Sequence, residues 1–175
     1  MTRNCLELHQ ASAISRNRGR GGFSAAELLV VVAMLAILAT VSMPIFAATF
    51  KNARLNGAVR QLASDIRFAR SLAVSKGGFY GVHTDGNRYQ IQSSSDVTTW
   101  TSPTVITNWQ DLSTQFIGVT IQSVGNGDPI GGPIFNAMGA SLDSSNIVRS
   151  VNITLADDSA TKVIQVNPAG NVKMP

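Results

Sequence analysis

Hydrophobic positions divide the chain into three stretches. In the first, Leu28 to Phe50, 23 consecutive residues carry no charge. At about 1.5 Å per residue such a helix reaches roughly 34 Å, enough for a hydrocarbon core of about 30 Å. From Lys51 the pattern changes. Leu55, Val59, Leu62, Ile66, Ala69 and Ala73 recur every three or four residues, the stripe of an amphipathic helix. Arg60 and Arg67 lie opposite the stripe and Arg54 and Arg70 flank it, and Arg60, Arg67 and Arg70 read as a solvated face. Gly57 weakens the stretch by about 1 kcal/mol relative to alanine. Lys76-Gly77-Gly78 then stops it with a cation in the last turn and glycine beyond. Together these stretches predict one helix from about Phe23 to Lys76.

After Gly78 the residues become β-branched, polar and glycine-rich. Phe79–Thr84 and Arg88–Ser93 flank Asp85-Gly86-Asn87, the signature of a hairpin. Thr104–Trp109, Gln115–Val124, Pro133–Asn136, Ile147–Leu155 and Lys162–Val166 are further predicted strands. In Ile147–Leu155 one face holds Ile147, Val151, Ile153 and Leu155, interrupted by Arg149. Residues 126–132 read as an exposed loop, Met138-Gly139 and Asp157-Asp158-Ser159 as turns, and Val172-Lys173-Met174 as a tail. The predicted class is α+β, a long N-terminal helix packed on an antiparallel β-sheet domain. Its divisions are a basic leader at 1–22, a membrane-spanning helix at 23–50, an amphipathic helix at 51–76 and a β-rich head at 77–175.

Charge sharpens this division. The formal net charge is +4, but Arg3, Arg16, Arg18 and Arg20 against Glu7 put +3 of it in the leader, leaving +1 from Phe23 onward. A basic leader before an apolar span places the N-terminus in the cytoplasm and the head across the membrane. The basic balance is therefore no argument for nucleic-acid binding by the head. An ordinary secretory signal has an apolar region of about 7–15 residues before a small-residue cleavage site, shorter than the run here. The one cysteine, Cys5, is also in the leader, so the remainder has no disulfide, thiolate metal site or thiol nucleophile. Some other device must hold the C-terminal region.

Catalytic patterns are absent. His9 lies in the leader and His83 in a predicted strand, and there is no HExxH, CxxC, P-loop or GxSxG sequence. Asp128 is a single acid in a glycine-rich loop, thin support for calcium. No enzyme, cofactor or metal is expected. Glu27 stands apart because a carboxylate at the centre of a membrane helix costs about 2.5–3.5 kcal/mol on insertion scales. It either marks the interfacial end of the helix or has a function there.

Gly22 closing a basic leader, Phe23 after it, Glu27 as fifth residue of a chain starting at Phe23, the unbroken apolar run and Pro44 within it resemble the N-terminal signal of type IV pilins and pseudopilins. The resemblance implies cleavage behind Gly22 by a prepilin peptidase and N-methylation of Phe23. It makes Glu27 an assembly residue that neutralises the Phe23 amine of a neighbouring subunit, since a buried acid and amine together cost far less than either alone. Pro44, which removes a helix donor, marks a flexible point eased by Thr40 and Ser42 nearby. The implied partners are other pilins in a filament and an inner-membrane assembly platform, with a single-pass anchor in the bacterial inner membrane and a periplasmic head. Many major pilins close a C-terminal loop with a disulfide, which this chain lacks.

Further on, Pro133-Ile134-Phe135-Asn136 with Gly139, two β segments and Gly170-Asn171-Val172-Lys173 resemble the GspH/FimT group of minor pilins and pseudopilins. The expected function is that of a structural subunit of a type IV pilus, at its tip or in its initiation complex, or of a type II secretion pseudopilus. Some members of the group bind DNA through two arginines around a Gly-x-Val-x tail. Here Asn171 and Lys173 occupy those positions, and one cation supports little phosphate contact. A tail that completes the sheet is the better reading, with DNA uptake the alternative.

Overall fold

The computed structural model describes residues 23–98, 100, 102–125, 130–143 and 145–175, and within its first helix leaves out the side chains of residues 41, 43–45, 47 and 48. Cys5, His9, Gly22 and Asp128 lie outside the described residues. The chain divides into two compact units, Met1–Ser42 and Met43–Pro175.

Helix α1 is assigned from Ala25 to Lys76, ending where lysine and paired glycines place its stop. In the first unit its large apolar side chains point outward on every face, and Val31, the least exposed, is still 52 % exposed. The hydroxyls of Thr40 and Ser42 donate back to the carbonyls of Ile37 (2.7 Å) and Leu38 (2.8 Å). They are thus satisfied within the helix, and do not serve the Thr40 carbonyl that loses its donor at Pro44. The helical assignment continues through position 44. Among the described residues no helix is long and apolar enough to cross a membrane. The described side chains run unbroken from Leu28 to Thr40, roughly 20 Å of helix.

In the second unit, α1 buries the predicted stripe, with Leu55, Leu62, Ile66, Ala69 and Ala73 fully enclosed. Two antiparallel sheets share this one helix, where the sequence predicts a single sheet. Sheet A has the order β3-β2-β1-β6-β7, with β4 also on β2. Its strands are β1 Phe79–Asp85, β2 Arg88–Ser94, β3 Thr104–Val105, β4 Gln110–Asp111, β6 Ile134–Phe135 and β7 Ser141–Leu142. Sheet B has the order β10-β9-β8-β5, from β5 Thr120–Val124, β8 Val151–Ala156, β9 Thr161–Val166 and β10 Val172–Lys173. Tyr80, Val82, Tyr89 and Ile91 of sheet A meet Val151, Ile153, Leu155, Ile164 and Val166 of sheet B in one core under the helix. A second cluster of Val97, Trp100, Ile130, Ile134 and Leu142 forms apart from that core, and Trp100 donates from Nε1 to the buried Gln92 (2.9 Å).

Several predicted strands are shorter than expected, for identifiable reasons. Thr104–Trp109 keeps only β3, because the amides of Ile106 and Thr107 both turn to the Ile91 carbonyl before β4 rejoins β2. The strand predicted from Gln115 starts at Thr120. Asp111 caps a one-turn helix, α2 (Leu112–Gln115), by accepting from the amides of Ser113 and Thr114. Ile147 is exposed and outside β8, since Asp143 Oδ1 accepts from the amides of Ser145 and Ile147 and holds a turn there. Gly57 has a packing reason: an added Cβ would lie 2.6 Å from Cε1 of Phe116, which packs against the helix at that point.

Candidate assembly site

The start of α1 is a reciprocal cap. Ala26 N–H donates to Ser24 Oγ (3.2 Å), and Ser24 N–H donates to Glu27 Oε2 (3.1 Å). Serine at the cap and glutamate three residues on form a capping box, which satisfies two of the amides that any helix start leaves without partners. Glu27 also puts negative charge in the first turn, where the helix dipole favours it. Phe23, just before the cap, is 86 % exposed. Ser-x-x-Glu before an apolar run is legible in the sequence, and it gives Glu27 a local role beside the one the resemblance implies.

On the second unit, the C-terminal region is held by arginines. Arg70 donates from Nε to the Gly139 carbonyl and from Nη2 to the Ala169 carbonyl, both at 3.0 Å. Arg67 reaches the carbonyl of Val172 in edge strand β10 (3.3 Å). The two turns that Arg70 joins are alike. Asn136 Oδ1 accepts from Met138 and Ala140 amides, Asn167 Oδ1 from the Asn171 amide, and each turn ends in a glycine at φ +76°. The Ser141 amide also donates to the Pro168 carbonyl (3.1 Å), tying β7 of sheet A to the turn before β10 of sheet B. Arg67 and Arg70 therefore are not the free solvated face the sequence predicts. They supply the fastening that a cysteine-free head needs, and their carbonyl partners have no side-chain signature in the sequence.

On the other flank of α1, Tyr89 donates to Asp65 Oδ2 at 2.5 Å and Gln61 Nε2 to the same oxygen at 3.2 Å. Burial, then the Asp65 carboxylate, raise the Tyr89 pKa far above the usual phenol value, so the hydroxyl remains a donor.

The remaining polar candidates take structural positions. His83 Nδ1 bonds the Ile130 carbonyl (2.8 Å) and its ring lies 5.4 Å from that of Trp109. Arg88 stacks over Trp109 and pairs with Asp85, whose pKa it lowers through hydrogen bonding and charge. Arg149 pairs with Asp143 at 2.8 Å. Arg88 and Arg149 are thus each neutralised by an acid. Lys173 is exposed on β10, which does complete sheet B. Asp157 accepts from the Ser159 and Ala160 amides in the β8–β9 turn, as the adjacent aspartates predict, and these bonds lower its pKa. Among the described residues no group of three or more His, Cys, Asp or Glu is placed to hold a metal ion.

Residues 58–170, nearly two thirds of the chain, match the family model of the type II transport protein GspH. No curated protein sequence matches the chain. Among solved structures, the type IV minor pilin FimU of Pseudomonas aeruginosa is similar with a TM-score of 0.53 at 16 % identity, over 71 % of this chain and 90 % of FimU. The minor pseudopilin EpsH of the Vibrio cholerae type 2 secretion system gives 0.52 at 11 % identity, over 70 % of this chain and 96 % of EpsH. At these identities the likeness is one of fold, a helix packed on antiparallel sheets. The family match begins within the amphipathic half of α1, takes in both sheets except β10, and leaves out the Gly22–Glu27 signal. The chain belongs to the GspH family, and shares the type IV pilin-like fold, a helix packed on antiparallel sheets, with these two structures.

Proposed function

We propose that the protein is a membrane-anchored structural subunit that joins other pilins in a filament, and is not an enzyme. The observation that carries this is the first unit of α1. From Leu28 to Leu38 each large apolar side chain is more than half exposed, with only the capping Glu27 charged. A helix apolar on every face requires lipid or other helices around it, and moving it from one to the other preserves its apolar surroundings. Together with positions 41–50 the sequence makes this run long enough to span the inner membrane, with the head in the periplasm. A prepilin peptidase would cut behind Gly22, Phe23 would be N-methylated, and Glu27 would exchange its bond to Ser24 for the Phe23 amine of a neighbour. Pro44 remains a point of flexibility in this reading, and an inner-membrane platform drives assembly.

The test is Glu27→Ala in the full-length chain. Membrane insertion is expected to persist while incorporation into filaments falls; normal incorporation would refute the charge pairing. Mass spectrometry of proteins that co-purify with the wild-type chain assigns the machine, through type IV minor pilins or through secretion pseudopilins. Salt-sensitive recovery of DNA alone would favour the uptake alternative through Lys173.

A further inference from the structure

We infer that the cleft beside Asp65 receives a lysine or arginine side chain from an adjacent pilin subunit. This deepens the filament reading above and rests on it. The cleft, of about 150 Å³, is bounded by Gln61 and Asp65 on α1, Tyr89 and Ile91 on β2, Thr107 and Gln110. Its lining holds one carboxylate and no cationic side chain.

The hydrogen bonds show what kind of group fits. Both donors that reach Asp65, Tyr89 and Gln61, bond the same oxygen, Oδ2. Among the described residues Oδ1 receives no hydrogen bond and no cation pairs with Asp65, while Oδ1 is not sealed away from solvent. Two of the neighbouring donors are engaged inside the molecule: Gln61 Nε2 bonds Asp65, and the Tyr89 hydroxyl does the same. Thr107 Oγ1 accepts from the Ile91 amide, and Gln110 Oε1 from Gln115. The negative charge that the cleft offers outward is therefore that of Asp65, at Oδ1.

A neutral amide would satisfy the Tyr89 hydroxyl as well as a carboxylate does, without the penalty of partly desolvating a charge. The excess charge is explained by a cation arriving from outside. One carboxylate is too few for calcium, which takes six to eight oxygen ligands. The volume is about that of five water molecules, room for an ammonium or guanidinium head and its last methylenes, with Ile91 as an apolar wall. A pair formed there is partly desolvated, and so stronger than one on an open surface.

The test compares full-length wild type, Asp65→Asn and Tyr89→Phe, each extracted from membranes in mild detergent, for the amount of other pilins that co-purify at low and high salt. Asp65→Asn keeps an acceptor for Tyr89 and removes the charge. Its co-purification is expected to fall about tenfold at low salt, with the salt dependence largely lost, while its melting temperature stays near that of wild type. Tyr89→Phe removes the internal bond and keeps the carboxylate, so association and its salt dependence should persist. Unchanged association of Asp65→Asn would overturn the inference and leave the filament reading standing. Equal losses in both variants would assign Asp65 to the fold, and overturn it too. If wild type itself brought down no pilin, the filament reading would fall and this inference with it.

Discussion

Substituting Gly170 tests whether the Arg70 fastening holds the C-terminal region. A Cβ at position 170 would overlap the Gly139 carbonyl oxygen and lie 2.7 Å from Arg70 Nε. The φ of +76° adds left-handed strain for any L-residue, about 1–2 kcal/mol. Both Arg70 bonds run from a charged donor, a class contributing about 1.5–3 kcal/mol each, and partial exposure of the side chain reduces their sum to about 2–3 kcal/mol. Gly170→Ala is therefore expected to destabilise by about 3–5 kcal/mol, a large fraction of the roughly 5–15 kcal/mol of a typical domain. The melting temperature should drop by roughly 10–15 °C. Gly77→Ala is the control, because Gly77 has the same sign of φ (+71°) with nothing within 4 Å of an added Cβ. It should lose only the strain, about 1–2 kcal/mol. Thermal unfolding of both variants by circular dichroism measures the difference. In an Arg70→Ala background the extra cost of Gly170→Ala should shrink, since the two changes act on one contact. Equal melting temperatures for Gly170→Ala and Gly77→Ala would refute the fastening.

Two further predictions follow from the processing signal and from Tyr89. Gly22→Ala is expected to block maturation, read by intact mass as retention of the leader of roughly 22 residues; a variant still trimmed at Phe23 would refute the cleavage site. The raised Tyr89 pKa makes its neutral form part of folded stability, fully present below pH about 10 and lost as pH rises above it. The difference in melting temperature between wild type and Tyr89→Phe should therefore move in favour of the variant as pH passes about 10, and a constant difference would refute the buried donor.

How legible these features are depends on how far each is encoded in side chains. The stripe from Leu55 to Ala73 encodes its own helix, because burial selects apolar residues at the helical period. The hairpin around Gly86-Asn87 is equally plain, with Asp85 opposite Arg88 in the observed register. Strands β3, β6 and β7 are two residues each, too short for an alternating pattern to emerge. Polar residues beside an apolar stripe look alike whether they meet water or protein. Asp65, Arg67 and Arg70 are thus indistinguishable from Arg60 until the opposing backbone is in place. Asp111 falls between the predicted strands Thr104–Trp109 and Gln115–Val124, and only its bonds to Ser113 and Thr114 identify a cap. The division into two sheets escapes the sequence for a related reason: one helix stripe serves both, so its pattern does not record how many surfaces it covers.

Both outer strands of sheet B are blunted by polar side chains from outside the sheet. Arg67 takes a carbonyl of β10, and Asn87, from the β1–β2 turn, accepts from the Ile121 amide of β5 (3.1 Å). Unpaired strand edges are templates for pairing with another chain. In an array that crowds many similar heads together, such edges would invite neighbours to zip into continuous β structure and jam growth. With one backbone atom of each edge occupied, pairing with a neighbouring edge is hindered there. Side-chain contacts can be made and released one at a time, where a continuous sheet would have to part as a whole.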